Sequence, residues 1–438
     1  MVDANQRPSG LAKRRSAGRK PPRQDGWYRR KAFAHFDLPM DFSSAELRVR
    51  DPRFVASRAF WPFLGFEDRR RQFRTIAGVN RASIKTRPIK YCSHMDGYVF
   101  GYYSKMAEDA YEHYLHLHNL SDSVIGYRRG LGSNADMAAE VFSDIGRRRK
   151  STVICLDISS FFDSIDHRAL KANLLTVLGL NYLLPDWFAV FKAMTRYSWV
   201  DAEELALRLG FSRDAPPRPL CTAAEFRQKV RGGDGVNRDI IRRNFAPYGI
   251  PQGSPISAVL SNIFMIEFDH AVRTRVVKRG GLYRRYSDDI IIVCQPSSAK
   301  AMLSFVLKEI KKLGSAIEIS EEKTEICNFR REGSRLFCDA AVTYLGFTFD
   351  GRRVLLRART LSRYYRRMTY AARGAVRAGG QPDKTYRRKL FREFTHLGKR
   401  NFYSYAKKAA AIFDCAGPTD QLRRHFRILH RKLYDEGR

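Results

Sequence analysis

The chain has no run of about 18 apolar residues, so no segment reads as a membrane-spanning helix. Its opening stretch, MVDANQRPSGLAKRRSAGRKPPRQ, lacks the apolar centre of a secretory leader. It is rich in Arg, Lys, Pro and Gly, a composition expected to stay disordered until it meets a polyanion. Cysteine is sparse. The seven (Cys92, Cys155, Cys221, Cys294, Cys327, Cys338 and Cys415) are odd in number and scattered, and none makes a Cys-x-x-Cys or Cys/His zinc spacing. That excludes a disulfide scaffold and a zinc ribbon, and it fits reduced thiols in an intracellular, cytoplasmic protein. No internal repeat is visible, which excludes a solenoid.

The scarcest thing is negative charge. Forty-five Asp and Glu face 80 Lys and Arg, a formal +35 over 438 residues. An excess of this size points to a polyanionic partner, most often nucleic acid. It is unevenly spread: residues 1–31 hold 10 basic against 2 acidic residues, and residues 351–438 hold 24 against 6. The expected organisation is a basic arm (1–31), an N-terminal region (32–150), a core (151–350) with an insertion at about 181–248, and a basic helical region (351–438).

Residues 93–120 and 134–148 repeat apolar positions every three or four residues and read as helices, the second capped by Asn134. STVICLDISSFF (151–162) reads as a buried strand running into a turn, and 166–180 as a helix. Residues 32–82 show no clear period, and 200–248 read as irregular. Residues 254–276 read as one helix, with Ser254 as its cap and Pro255 in first position. GLYRRY and IIIVC flank SDD as a hairpin, 298–314 is an amphipathic helix, and AIEIS and TYLGFTFD are strands. Past Arg353 three or four basic helices are expected. The fold class is α+β, a mixed sheet with helices on one face.

Two carboxylates, Asp288 and Asp289, sit where a buried apolar strand begins. A charge there is costly unless it is paired or holds a metal, although Asp and Ser also suit a simple polar turn. Asp157 ends another apolar run, VICLD. Two strand-end sites can lie side by side in one sheet. Three carboxylates meeting there would need a cation, and Mg²⁺ suits hard oxygen ligands and phosphates.

The ordered set LDISSFFDSID (156–166), YGIPQGSPISAVLSNIFM (248–265), YSDD (286–289) and YLGF (344–347) resembles the reverse transcriptases. It looks most like the bacterial branch with retron and group II intron enzymes, over roughly residues 80–350. The resemblance implies a right-hand polymerase: fingers over 32–150, a palm with an antiparallel sheet and YxDD hairpin, and a helical thumb from 351. It implies an RNA-directed DNA polymerase that extends a 3′-hydroxyl with dNTPs using two Mg²⁺ ions, with Mn²⁺ as a substitute. Asp157, Asp288, Asp289 and the Ile158 carbonyl would hold the metals. Phe162 would be the gate against a 2′-hydroxyl, and Gln252 and Gly253 would meet the incoming nucleotide. Lys85 and Arg87, with Lys90 a further choice, would grip its triphosphate. Lys323 would protonate the departing pyrophosphate. Tyr286 would pack near the primer end, and Tyr344, Leu345, Gly346 and Phe347 would form the primer grip. Arg128 and Arg129 would touch template, and Arg363, Arg366 and Arg367 a duplex.

The chain departs from its relatives. It shows neither the Cys/His nuclease pattern of many intron enzymes nor the Asn-Ala-x-x-His and Val-Thr-Gly signatures of retrons. By elimination it resembles the defence-associated group, which often act against phage with a dedicated noncoding RNA as partner. Two alternatives stay open: template-independent or protein-primed DNA synthesis on the same site, and a catalytically silent RNA-binding protein.

Overall fold

The computed structural model describes residues 26–434 apart from 32, 77–78, 212–217 and 378–382. Most of the expected basic arm, residues 1–25, lies outside the described residues.

The centre is an antiparallel sheet in the order Arg335–Cys338, Glu325–Glu332, Lys150–Ser159, Asp289–Cys294, Leu282–Tyr286. A short strand, Glu318–Ile319, pairs with the far end of Lys150–Ser159. Successive side chains of a strand point to opposite faces. Ile154, Leu156, Ile290 and Ile292 therefore join one core, while Val153, Ile291, Val293, Cys327 and Phe329 join another. The first core includes residues of the helices His94–Leu117, His167–Leu178, Ser257–Phe264, Ile266–Lys278 and Ala299–Lys312. The second includes Asn134–Arg147, a small sheet (Val342–Tyr344, Phe347–Phe349, Val354–Leu356) and the C-terminal helices.

Both faces are thus covered, which corrects the expectation of helices on one face. It also explains why IIIVC is apolar without alternation: a strand buried on both sides has no polar face.

Other expectations change. Where residues 32–82 show no clear period, Phe63–Ile76 pairs antiparallel with Val79–Tyr91 to form a long hairpin. Residues 254–276 are two helices broken at Met265, and the first begins only at Ser257. Ser254 is no cap, and its hydroxyl is buried without a partner. The helix at 134 is capped by Ser133, which forms a capping box with Asp136. TYLGFTFD is a hairpin, turning through Leu345 (φ 46°) and Gly346 (φ 95°). The described parts of the stretch read as irregular do carry structure: Ser198–Asp201 lies parallel to the start of the long hairpin, and Val200, Leu205, Phe226 and Val230 share a small core with Phe36 and Leu64. A strand, Val354–Leu356, precedes the C-terminal helices Ala358–Arg377, Lys384–Phe394, Phe402–Ile412, Gly417–Asp420 and His425–Tyr434. No described helix is long and apolar enough to cross a membrane.

Candidate active site

Strand register brings the aspartates together. Asp157 lies directly opposite Asp289 in the antiparallel pair of Lys150–Ser159 with Asp289–Cys294. Such neighbours have Cβ atoms about 5 Å apart on the same face. Asp288 occupies the hairpin turn, and its carbonyl accepts from the Ile158 N–H at 3.2 Å. Burial, with the carboxylates of Asp288 and Asp157 behind it, pushes Asp289 up to about 7, against the pull of Lys323. Burial and Asp157 likewise raise Asp288. Like charges crowded in this way are what a divalent cation relieves.

Among the described residues no group of three or more Asp, Glu, His or Cys side chains is arranged to hold a metal ion as they stand. The Lys323 ammonium pairs with the Asp157 carboxylate. Its placement follows from register: Ile319 pairs with Ile158, and Ser320 N–H donates to the Asp157 carbonyl at 2.8 Å, so the next turn brings Lys323 back over the strand end. The hard oxygen donors fit Mg²⁺, which is commonly held by one or two carboxylates and completed by substrate phosphates and water.

Around this pair the expected residues divide. Phe161 and Phe162 lie in a short 3-10 turn past the strand end, so strand alternation does not apply to them; Phe161 is buried and Phe162, half-buried, packs against the same core. The Phe162 carbonyl accepts from Ile250 N–H at 2.9 Å, and the Gln252 carbonyl accepts from Lys90 N–H at 2.9 Å. The 250–253 loop therefore ties the Phe162 turn to the long hairpin. Gly253 has φ 124°, and a Cβ there would lie 2.7 Å from the Lys90 carbonyl oxygen. Its missing side chain makes room for backbone, where a ligand was expected.

Lys85 is half-buried. Its amine is lowered by burial and by Lys323 and Arg87, with Asp157 opposing, which places it at the same cleft. Arg87 is exposed on the same strand. Lys90 does not reach out to a triphosphate: it is buried, its amine 5.3 Å from the Tyr197 ring and 5.1 Å from that of Trp199.

Arg128 is also corrected. Its guanidinium is spent on Glu112 and on the carbonyls of Ser121 and Val124, leaving no free fork for template. Arg129 is exposed and pairs with Glu108 at 3.0 Å. Tyr286 is half-buried, its ring 5.9 Å from that of Tyr127. Tyr344 and Phe347 are buried, and the Tyr344 hydroxyl has no partner; burial first, then Asp289, raise it. The turn between them, Leu345–Gly346, is held by Arg357 N–H on the Gly346 carbonyl at 2.9 Å. Arg363, Arg366 and Arg367 share the exposed face of Ala358–Arg377, whose opposite face buries Tyr364, Met368 and Ala372. Arg367 also meets Glu393 at 3.4 Å.

Sequence reading passed over Arg285, which is fully buried beneath the aspartate turn. The signal was present: of two adjacent arginines in a strand, LYRRY, alternation turns one to each face, and one turned into the core must have a buried partner.

The strand-end aspartates and the aspartate hairpin thus sit together on one antiparallel sheet. Residues 225–349 match the family model described as "Reverse transcriptase (RNA-dependent DNA polymerase)". That segment is similar to a reverse transcriptase domain, and such domains generally use divalent metal ions. Asp157 lies outside the matched segment, and its strand pairing joins it to Asp289.

Among solved structures, apo telomerase from Candida tropicalis is similar at 11% identity, covering 83% of this chain and 59% of that one, with a TM-score of 0.40. Telomerase from Candida albicans in complex with a TWJ fragment of telomeric RNA is similar at 12% identity, covering 89% and 65%, with a TM-score of 0.40. The chain thus spans about six-tenths of the length of these two. No curated protein matches it.

Proposed function

We propose that this chain copies an RNA template into DNA, adding dNTPs to a primer 3′-hydroxyl at Asp157, Asp288 and Asp289. The observation that carries the reading is the register of Asp157 opposite Asp289 with Asp288 in the adjoining turn. Two Mg²⁺ ions held by these carboxylates would supply Lewis-acid activation of the 3′-hydroxyl and charge neutralisation on the triphosphate.

The chain's own groups do the rest. Lys323, paired with Asp157 in this structure, gives a proton to pyrophosphate once that pairing is released. Lys85 and Arg87 meet phosphate oxygens from the long hairpin. Phe162 flanks the sugar and sets preference for deoxynucleotides. The Tyr344–Phe347 hairpin holds the primer end, a positioning role. Residues 32–150 act as fingers, 151–350 as palm with the 181–248 insertion on its fingers side, and 351–438 as thumb. The motif resemblance to the bacterial branch supports a dedicated noncoding RNA as template and a role in antiphage defence.

Primer extension on an RNA template with dNTPs and Mg²⁺ tests the reading. Asp157→Asn and Asp288→Asn should fold normally and lose synthesis by roughly 10³-fold or more, since each removes a charged donor. Full activity in either variant rejects it. Sequencing copurified RNA, before and after dNTP addition, tests the template class.

A further inference from the structure

The aspartate turn rests on a charge that water does not reach. Arg285 and Asp269 form an ion pair with both side chains fully buried. The contact is a bidentate fork, Nε to Oδ1 at 2.8 Å and Nη2 to Oδ2 at 2.6 Å. Tyr283 donates to the same Asp269 carboxylate at 2.5 Å. The remaining guanidinium nitrogen, Nη1, donates to Asn262 Oδ1 and to the Ser287 carbonyl, both at 3.1 Å. Asn262 in turn donates to the Gly126 carbonyl at 2.8 Å.

Ser287 immediately precedes Asp288, and it is a non-glycine residue in the left-handed region, φ 60°. That conformation is unfavourable for an L-residue and persists only where its surroundings hold it. Three elements do so. Residues 123–125 bond to Arg285 through Arg285 N–H to Ser123 carbonyl at 2.8 Å and Ile125 N–H to Arg285 carbonyl at 2.9 Å. Gly126 packs so closely that a Cβ would lie 2.6 Å from the Ser287 nitrogen. The Arg285 fork reaches the Ser287 carbonyl from the core side.

A buried ion pair is poor evidence of stability, because desolvation offsets its attraction. Apolar residues could fill the same volume. What they could not do is donate to the Ser287 carbonyl.

We infer that Arg285 is a positioning residue: its guanidinium, oriented by Asp269 and Asn262, fixes the left-handed Ser287 and so sets the pitch at which Asp288 and Asp289 are presented. The inference rests on the reading of those aspartates as metal ligands. It adds that their geometry is set by a guanidinium fork and is already set before metal arrives.

Three variants test it. Arg285→Lys keeps the charge and loses the planar fork. The double variant Arg285→Met with Asp269→Leu removes both buried charges together, the change buried pairs tolerate best. Asn262→Ala leaves the ion pair and removes one of its supports. The readouts are thermal unfolding, hydrogen exchange of residues 286–289 in metal-free protein, and Mn²⁺ binding followed by its paramagnetic resonance.

In the double variant the turn amides should exchange about tenfold faster and Mn²⁺ should bind roughly 10- to 100-fold more weakly, the range for groups that orient metal ligands. Asn262→Ala should show the same change at smaller size. Arg285→Lys should fail to restore either. A folded double variant, or a folded Asn262→Ala, with wild-type turn exchange overturns the inference. Failure of the aspartate reading looks different: Asp288→Asn would then keep wild-type Mn²⁺ binding and activity, while the exchange experiment would still report on the clamp.

Discussion

Asp289 joins stability to chemistry within one side chain. Folding raises its carboxyl from an ordinary 3.8 to about 7. The folded chain therefore binds more protons than the unfolded chain across that window, and stability falls as pH rises through it. Above about 7 the full cost is present, and below about 4 there is none. The carboxylate reaches into the open cleft, so solvent trims the effect. A divalent cation acts in the opposite direction. Adding Mg²⁺ should raise Tm more at about pH 8 than at about pH 5, by roughly 1–3 °C for each ~1 kcal/mol in a chain of this size. Asp289→Asn should flatten both the pH dependence and the Mg²⁺ response. Differential scanning fluorimetry over a pH series checks this, and an equal Mg²⁺ shift in that variant would contradict it. Phe162 makes a second prediction at this scale. Replacing it with Ala should admit ribonucleotides, lowering dNTP preference by roughly 10- to 100-fold in kcat/KM, the range for a shape contact of one side chain. Wild-type discrimination in a folded variant would remove Phe162 from the gate.

Among the elements, the contact between the long hairpin and the 250–253 loop carries the next prediction. Lys90 N–H reaches the Gln252 carbonyl, and Gly253 allows the approach at φ 124°. Gly253→Ala brings a Cβ to 2.7 Å from the Lys90 oxygen, so hairpin and loop must separate. The expected result is a loss of 1–3 kcal/mol, the usual scale for strain at such a φ, with a raised KM for dNTPs because Lys85 and Arg87 ride on that hairpin. Steady-state kinetics and thermal unfolding together check it. The same elements show what was legible in the chain. VICLD and DDIIIVC announced their strands, because a strand buried on both faces is apolar throughout. Glu325–Glu332 pairs with Lys150–Ser159 yet went unseen, because only Cys327 and Phe329 of its residues are buried and its other positions, Ile326 apart, are polar or charged. The long hairpin hid for the same reason, its arginines masking a period of two. At the site, the aspartates were legible because their spacing to apolar runs is local. The burial of Arg128 and Lys90 was not, since it depends on Glu112, Tyr197 and Trp199, which only the folded chain brings near.

For the whole molecule, charge decides how the substrate is held. The formal +35 is concentrated toward the ends, and the C-terminal region contributes the exposed arginine face of Ala358–Arg377. Its buried face of Tyr364, Met368 and Ala372 is fixed in the second core, so the arginines can be changed without disturbing the aspartates. Each phosphate neutralised adds about 0.9 to the slope of log affinity against log salt on duplex. Replacing Arg363, Arg366 and Arg367 with Gln should reduce that slope by roughly 2–3, with Arg367 contributing least because Glu393 already engages it. Binding of a primer–template duplex at several salt concentrations measures this. The rate at saturating duplex should stay near wild type while KM for duplex rises, because the face positions no reacting atom. An unchanged slope would mean that this helix does not meet the backbone. A lost rate at saturation would mean that it shapes the palm instead.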